Sequence, residues 1–185
     1  AYLCLSTQGF SLFAWLVATS QGEVALFSRD GSKAMVCADA ASQWLTHVGD
    51  IPWLHAETLY LRGRALMAAG GDPRAVATKL KRDAVALAKL DLPTAKAYSF
   101  ALTGAAEALL GNAAGAHANY RDAGKWFTQC SMPVFASACK WHAGRIRGGA
   151  AAIAETVAAV DELRERSIRS PEVVIAQLVP GLRDS

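Results

Sequence analysis

The stretch LPTAKAYSFALTGAAEALLGNAAGAHANYRDAGKWFTQCS, residues 92 to 131, decides the fold of this chain. Its two markers are a proline that follows an apolar residue and a glycine eleven residues after that proline. The pair of markers occurs three times, as Pro52 with Gly63, Pro93 with Gly104, and Pro133 with Gly144. The steps of 41 and 40 residues are typical of repeat proteins, in which each unit buries its apolar face on the next.

Apolar stripes with helical spacing fill the intervals between the turn residues. After Gly111-Asn112, one such stripe consists of Ala116, Tyr120, Ala123 and Phe127. A glycine inside a helix costs about 1 kcal/mol relative to alanine, so its recurrence at one position predicts close helix–helix contact there. No alternating strand pattern is long enough to require a sheet. We therefore predict an all-α, right-handed stack of antiparallel helical hairpins.

The period divides the chain into units of one helical-repeat domain, predicted over residues 1–182. The predicted units are 9–50, 51–91, 92–131 and 132–170, followed by a terminal helix at 171–179. Residues 24–36 are predicted to form either an extended loop or a short hairpin, before a helix from Lys33 to Val48. In the last unit, the second helix, which follows Gly148-Gly149, is expected to pack through Ile153, Val157, Val160 and Leu163.

Composition limits the possible classes of function. With 185 residues and 52% hydrophobic content, the chain can form one real core. A net charge of +3 permits an anionic partner without indicating one, and direct nucleic-acid binding is not expected. The cysteines form no CxxC pair, which indicates reduced thiols and a cytoplasmic location. They are Cys4, Cys37, Cys130 and Cys139.

The first 22 residues carry no charged side chain, which raises the question of a membrane span. Only Phe10 to Ala18 is strongly apolar, which is far short of the ~20 residues that a span requires. No basic flank precedes the segment, as a signal peptide would need. We therefore expect no membrane insertion and a buried first helix. We also expect Ala1 to Thr7 to be the end of an element that begins upstream.

The quoted stretch resembles the tetratricopeptide-like helical repeats. The matching positions, in that family's order of large, small, turn, small, large and small, are Phe100, Gly104, Gly111, Ala116, Tyr120 and Ala123. The preceding unit keeps Leu59, Gly63, Gly70 and Ala75, with Lys79 in place of the aromatic residue, and the last unit keeps Gly144. The resemblance implies an α-solenoid that presents a shaped surface.

The long period and the ending SPEVVIAQLVPGL, residues 170–182, are similar to the C-terminal helical regions of bacterial serine/threonine kinases fused to ATPase and repeat modules. This resemblance covers residues 50–182. No phosphate-binding loop, kinase lysine motif or catalytic aspartate motif is present in the sequence. The resemblance therefore implies a non-catalytic accessory module of a larger bacterial signalling protein.

In helical-hairpin solenoids the first helix of each pair lines the concave side, so residues flanking the packing glycines are predicted to face a groove. The candidate groove residues are Glu57, Tyr60, Arg64, Met67, Tyr98, Trp141 and Arg145. Arginine offers forked donors and aromatic rings offer contact area at low entropy cost, which suits a protein, a peptide or a small ligand. The alternative is that Tyr60 and Trp141 belong to the inter-repeat core.

Catalytic and metal-binding patterns are weak in this sequence. It contains no GxSxG elbow and no glycine-rich loop from strand to helix, so we expect neither an enzyme nor a cofactor. Cys139 and His142 lie three residues apart on one predicted helix but lack the further ligands of a zinc site, and no metal is expected. The basic stretch from Lys79 to Lys89 is typical of a solvated outer face.

The predicted function is a recognition or sensor module that binds its partner in the concave groove. It would transmit binding by a change in curvature or by docking against other domains of the parent chain. One alternative is a passive assembly scaffold, whose groove is filled by another part of the parent chain. Another is the effector-sensing domain of an ATP-dependent transcription regulator.

Overall fold

A computed structural model describes residues 7–48 and 50–181, and all of the regular structure in them is helical. The helices of these residues follow one another through short turns. They are α1 (Thr7–Phe27), α2 (Gly31–Val48), α3 (Pro52–Ala69), α4 (Pro73–Ala88), α5 (Pro93–Leu109), α6 (Ala113–Gln129), α7 (Pro133–Arg147), α8 (Ala150–Glu165) and α9 (Pro171–Leu178).

The recurring prolines mark helix starts. Five of these helices, α3, α4, α5, α7 and α9, begin with proline, whose fixed φ suits the first turn and whose missing N–H needs no partner there. Side-chain caps also support the starts of α4 and α6. Asp72 Oδ2 accepts a hydrogen bond from the Ala75 amide at 2.8 Å, and Asn112 Oδ1 accepts one from the Gly115 amide at 3.1 Å.

Each of the helices α1 to α8 packs against the next, and the first helices of neighbouring hairpins also touch, α1 with α3 and α3 with α5. This arrangement confirms the predicted all-α stack of helical hairpins. Helix α9 departs from the sequential pattern. It contacts α1, α7 and α8, and therefore links the last hairpin to the first along the side of the stack formed by the first helices.

The three recurring glycines lie at close helix contacts, as predicted. A Cβ on Gly63 would stand 2.4 Å from Leu102 Cδ2, and one on Gly104 would stand 3.2 Å from the Tyr120 ring. A Cβ on Gly144 would stand 2.6 Å from the Thr156 hydroxyl oxygen. The absence of a side chain at these positions is what lets successive helices approach each other.

The predicted loop or hairpin at residues 24–36 is wrong. Helix α1 continues to Phe27 and α2 begins at Gly31, so only a tight turn separates them. Asp30 stabilises this turn, since its Oδ1 accepts a hydrogen bond from the Lys33 amide at 2.9 Å. The side chain therefore caps α2 in a stretch whose composition had indicated extended backbone.

The predicted packing face of α8 is wrong in part. Leu163 is buried, but Ile153 and Val157 are 65% and 52% exposed. The face that meets α7 instead carries Ala152 and Thr156, which lie against Gly144. Because α7 and α8 approach so closely there, small side chains occupy the interface and the larger β-branched ones turn outward.

Helix α1, which was expected to be a buried first helix, is buried on one side only. Trp15 and Ala25 are buried, whereas Phe13 and Val24 are more than half exposed.

No helix within residues 7–48 and 50–181 combines the length and the hydropathy that crossing a membrane would require. Residues 1–6, where the end of an upstream element was expected, lie outside the described residues.

A buried ion pair joins α3 to α4. Asp83 is 1% exposed, and its two carboxylate oxygens accept hydrogen bonds from Arg62 Nε at 2.8 Å and from Arg62 Nη2 at 2.6 Å. A buried carboxylate is tolerated only when it is paired in this way. The pair therefore links the two helices of this hairpin.

Gly31 and Gly124 give a matched test of close packing. A Cβ on Gly31 would stand 2.2 Å from the backbone of Ala68 and Ala69, so the Gly31→Ala variant is expected to lose about 1–3 kcal/mol of stability. A Cβ on Gly124 would meet Cys139 Cβ at an ordinary 3.6 Å. Gly124→Ala should therefore gain about 0.5–1 kcal/mol through helix propensity. Urea unfolding measures both, and equal stability of the two variants would contradict the packing.

Candidate functional site

The predicted groove residues on α3 and α5 come together in the interior of the stack. Tyr60 and Tyr98 are buried, and their rings stack with centroids 3.9 Å apart. The rings of Phe127 and Phe135 pack at the edge of this pair. The alternative that placed Tyr60 in the inter-repeat core is therefore correct for its ring.

The groove is occupied by the end of the described chain, residues 177–181, which we call the tail. Four consecutive main-chain carbonyl oxygens of the tail each accept a hydrogen bond from a groove side chain. The bonds run from Arg64 Nη1 to Gln177 at 3.1 Å, from Tyr60 Oη to Leu178 at 2.7 Å, from His142 Nε2 to Val179 at 3.1 Å, and from Tyr120 Oη to Pro180 at 2.6 Å.

These donors come from three helices. Tyr60 and Arg64 lie one turn apart on α3, Tyr120 lies on α6, and His142 lies on α7. The Tyr120 and His142 rings stack with centroids 5.1 Å apart, which fixes two of the donors relative to each other. The helix stack thus holds donors for the last two carbonyl groups of α9 and for the two that follow it.

The sequence of the tail fits these donors. Val179 has an extended backbone, with φ −121° and ψ 122°, and its side chain is buried together with that of Ile175. Pro180 cannot continue α9. A Cβ on Gly181 would stand 2.1 Å from His142 Cε1, so a larger residue could not occupy this position without moving the ring. The last three residues of the tail therefore each meet a specific constraint.

Arg64 is the charged member of the site, with 5% of its surface exposed. Its Nη1 donates to Glu23 Oε2 at 2.9 Å, and its Nη2 donates to Glu23 Oε1. Burial lowers the pKa of Arg64, but the Glu23 carboxylate outweighs this effect and the pKa is raised overall. The remaining donor atom, Nε, is buried without a hydrogen-bond partner.

The other predicted residues take different places. Glu57 accepts a hydrogen bond from Tyr98 Oη at 2.8 Å, and burial raises the pKa of its carboxyl group. On α7, the Arg145 guanidinium lies over the Trp141 ring, 4.9 Å from its centroid. Trp141 is half-buried and, with Met67, lines a cavity beside the tail. The predicted set is therefore divided between the aromatic core, the tail contacts and this cavity.

The chemistry of the site is that of hydrogen-bond donation. Burial raises the pKa of Tyr60 and Tyr120 well above the ordinary value, so both hydroxyls keep their protons. Burial also raises the pKa of Cys139, which stays a thiol. Among the described residues no three His, Cys, Asp or Glu side chains gather in a way that could hold a metal ion.

Sequence reasoning missed three participants, Glu23, Tyr120 and His142. Tyr120 stands in the apolar stripe of α6, where its hydroxyl gave no signal of a polar role. His142 follows Trp141 directly and could have been grouped with the groove on that ground. Glu23 is the only charged residue of α1, which is the one signal that could have identified it.

Comparisons with known proteins identify no relative. No protein-family model matches the chain, and neither a curated protein nor a solved structure matches it significantly. The relationships to tetratricopeptide-like repeats and to bacterial signalling proteins therefore rest on the sequence pattern and stay predictions.

His142 makes the stability of the site depend on pH. Burial lowers its pKa from 6.5 to about 4, although the hydrogen bond to Val179 acts in the opposite direction. Between these values the unfolded chain binds the proton and the folded chain does not, so stability is full above pH 6.5. It should fall by roughly 3 kcal/mol as the pH is lowered from 7 to 4.

Urea unfolding at pH values from 4 to 7 measures this loss. His142→Gln should flatten the dependence, whereas His47→Gln, which changes an exposed histidine, should leave it unchanged. An identical slope for the wild-type chain and His142→Gln would show that His142 is not the group responsible.

Proposed function

We propose that the chain is a non-catalytic recognition module whose concave groove binds the end of a short peptide helix, and the residues directly after it, through their main-chain carbonyl groups. The observation that supports this is the row of four consecutive tail carbonyls, residues 177–180, each bonded to a groove side chain. A buried carbonyl without a donor costs about 1–3 kcal/mol, so a groove with these donors favours a helix end, whose last carbonyl groups lack partners within the helix.

Selectivity in this proposal comes from the side-chain positions of the tail. Carbonyl groups are common to all peptides, but the buried site of Val179 requires an apolar residue. The position of Gly181 excludes any Cβ. The preferred segment is thus apolar and ends in Pro-Gly, like Leu178 to Gly181. An acidic segment is not favoured, because Glu23 already neutralises Arg64.

The tail occupies the groove as an intramolecular ligand. A tethered segment acts at an effective concentration on the order of millimolar, so a partner peptide must compete with it. Recognition of a partner therefore requires the tail to leave. The place of such a module in a larger signalling protein rests on the sequence resemblance alone and is part of the proposal.

A second candidate function is a passive scaffold, in which the tail stays permanently bound in the groove and holds the first and last hairpins together. This candidate is favoured by the burial of Ile175 and Val179 and by the contacts of α9 with both the first and the last hairpin. In this case the groove never accepts another segment.

A peptide-exchange experiment separates the two functions. Val179→Asp in the full chain places a charge in a buried apolar site and should release the tail. A fluorescent peptide of residues 170–181 should then bind this variant saturably in fluorescence anisotropy. Its binding to the wild-type chain should be at least about tenfold weaker, because the tail competes.

Three controls complete the peptide-exchange test. Val157→Asp makes the same change at an exposed site and should behave like the wild-type chain. Adding Tyr120→Phe to Val179→Asp removes one donor and should weaken peptide binding about five- to tenfold. Gly181→Ala loosens the tail in a second way, should Val179→Asp fail to fold. If a variant is folded and its tail is released but it does not bind the peptide, the result would favour the passive scaffold.

A further inference from the structure

A cavity of 320 Å³ lies beside the tail, where α9 meets the first two hairpins and α7. Its walls come from the end of α1 with the following turn, from α3, from α7, and from α9 with the tail. Much of the lining is apolar and includes Leu26, Met67, Trp141, Val173 and Pro180. A volume near the lower end of the usual range for small-molecule sites points to a ligand smaller than a peptide.

Two arginines line this otherwise largely apolar cavity, Arg29 and Arg64. Arg29 lies in the turn between α1 and α2, is exposed, and forms no side-chain hydrogen bond or ion pair within residues 7–48 and 50–181. Because no carboxylate of the described chain holds it, its guanidinium is available to an external anion.

Arg64 offers a second, buried donor group. Its Nη1 is used by Glu23 and by the Gln177 carbonyl, and one proton of Nη2 is used by Glu23. Its Nε has no partner although it is buried. Nε and the second proton of Nη2 therefore form an unused edge of the guanidinium fork, the geometry that a carboxylate accepts. Because Nε has less than 1 Å² of exposed surface, a carboxylate reaches this edge only when the Arg64 side chain shifts.

We infer that this cavity binds a small apolar carboxylic acid. The carboxylate lies between Arg29 and the unused edge of Arg64, and the apolar body packs on Leu26, Met67 and Trp141. Glu172 also lines the cavity and Glu23 adjoins Arg64, so these carboxylates balance the two arginines and an anion is favoured only by direct pairing with the Arg29 guanidinium. The inference goes beyond the proposed function, because this ligand binds while the tail stays in the groove.

The test uses the full wild-type chain and three probes of one shape, 4-phenylbutyrate, 4-phenylbutyramide and 4-phenylbutylamine. Isothermal titration calorimetry should show the acid binding in the submillimolar range. The neutral amide should bind at least tenfold more weakly, and the amine should not bind. Equal affinities for the acid and the amide, or no binding of the acid at 5 mM, would overturn the inference.

Arginine variants then locate the site of binding. Arg29→Gln should weaken binding of 4-phenylbutyrate about tenfold without changing the affinity for the amide. Arg74→Gln, which removes an exposed arginine on α4, should leave both affinities unchanged. Unchanged binding of the acid to Arg29→Gln would overturn the inference. Because the tail remains docked throughout, these results do not depend on whether peptide exchange occurs.

Discussion

The hydrogen bonds between the groove and the tail are the interactions on which the rest of the structure depends. They bring side chains from α3, α6 and α7 onto the end of α9 and the residues after it, and each pairs a polar group that would otherwise be buried without a partner. The stack positions the donors, and the tail in turn joins the last hairpin to the first. Each part therefore stabilises the other, because docking gives partners to donors and carbonyl groups that the contact itself buries.

The helices could be predicted from the sequence because their signals are local. Proline fixes a helix start, a cap such as Asp72 needs a partner only three residues away, and Gly104 needs only the neighbouring helix. The groove contacts have no such signal. Tyr60 and Leu178 are 118 residues apart and Tyr120 and Pro180 are 60 apart, and nothing in the surrounding residues identifies one as the partner of the other.

Two errors in the sequence reasoning have physical causes. The face of α8 was assigned by hydrophobicity, but the close approach of α7 at Gly144 places Ala152 and Thr156 in the interface and leaves Ile153 outside. Tyr60 was treated as either core or groove, although a tyrosine has an apolar ring and a polar tip. Its ring stacks on Tyr98 in the core while its hydroxyl reaches the tail, so the two alternatives were not exclusive.

The position of α9 in the chain has a consequence for biosynthesis. The ribosome makes α1 to α8 before it makes α9, and yet α9 contacts α1 as well as α7 and α8. During translation, the hairpins that have already formed therefore expose Tyr60, Arg64 and the surrounding apolar surface to water or to a chaperone. Most repeat proteins can complete each unit as it emerges, because each contacts only its neighbours. The nascent chain of this protein can close only after its ninth described helix has left the exit tunnel.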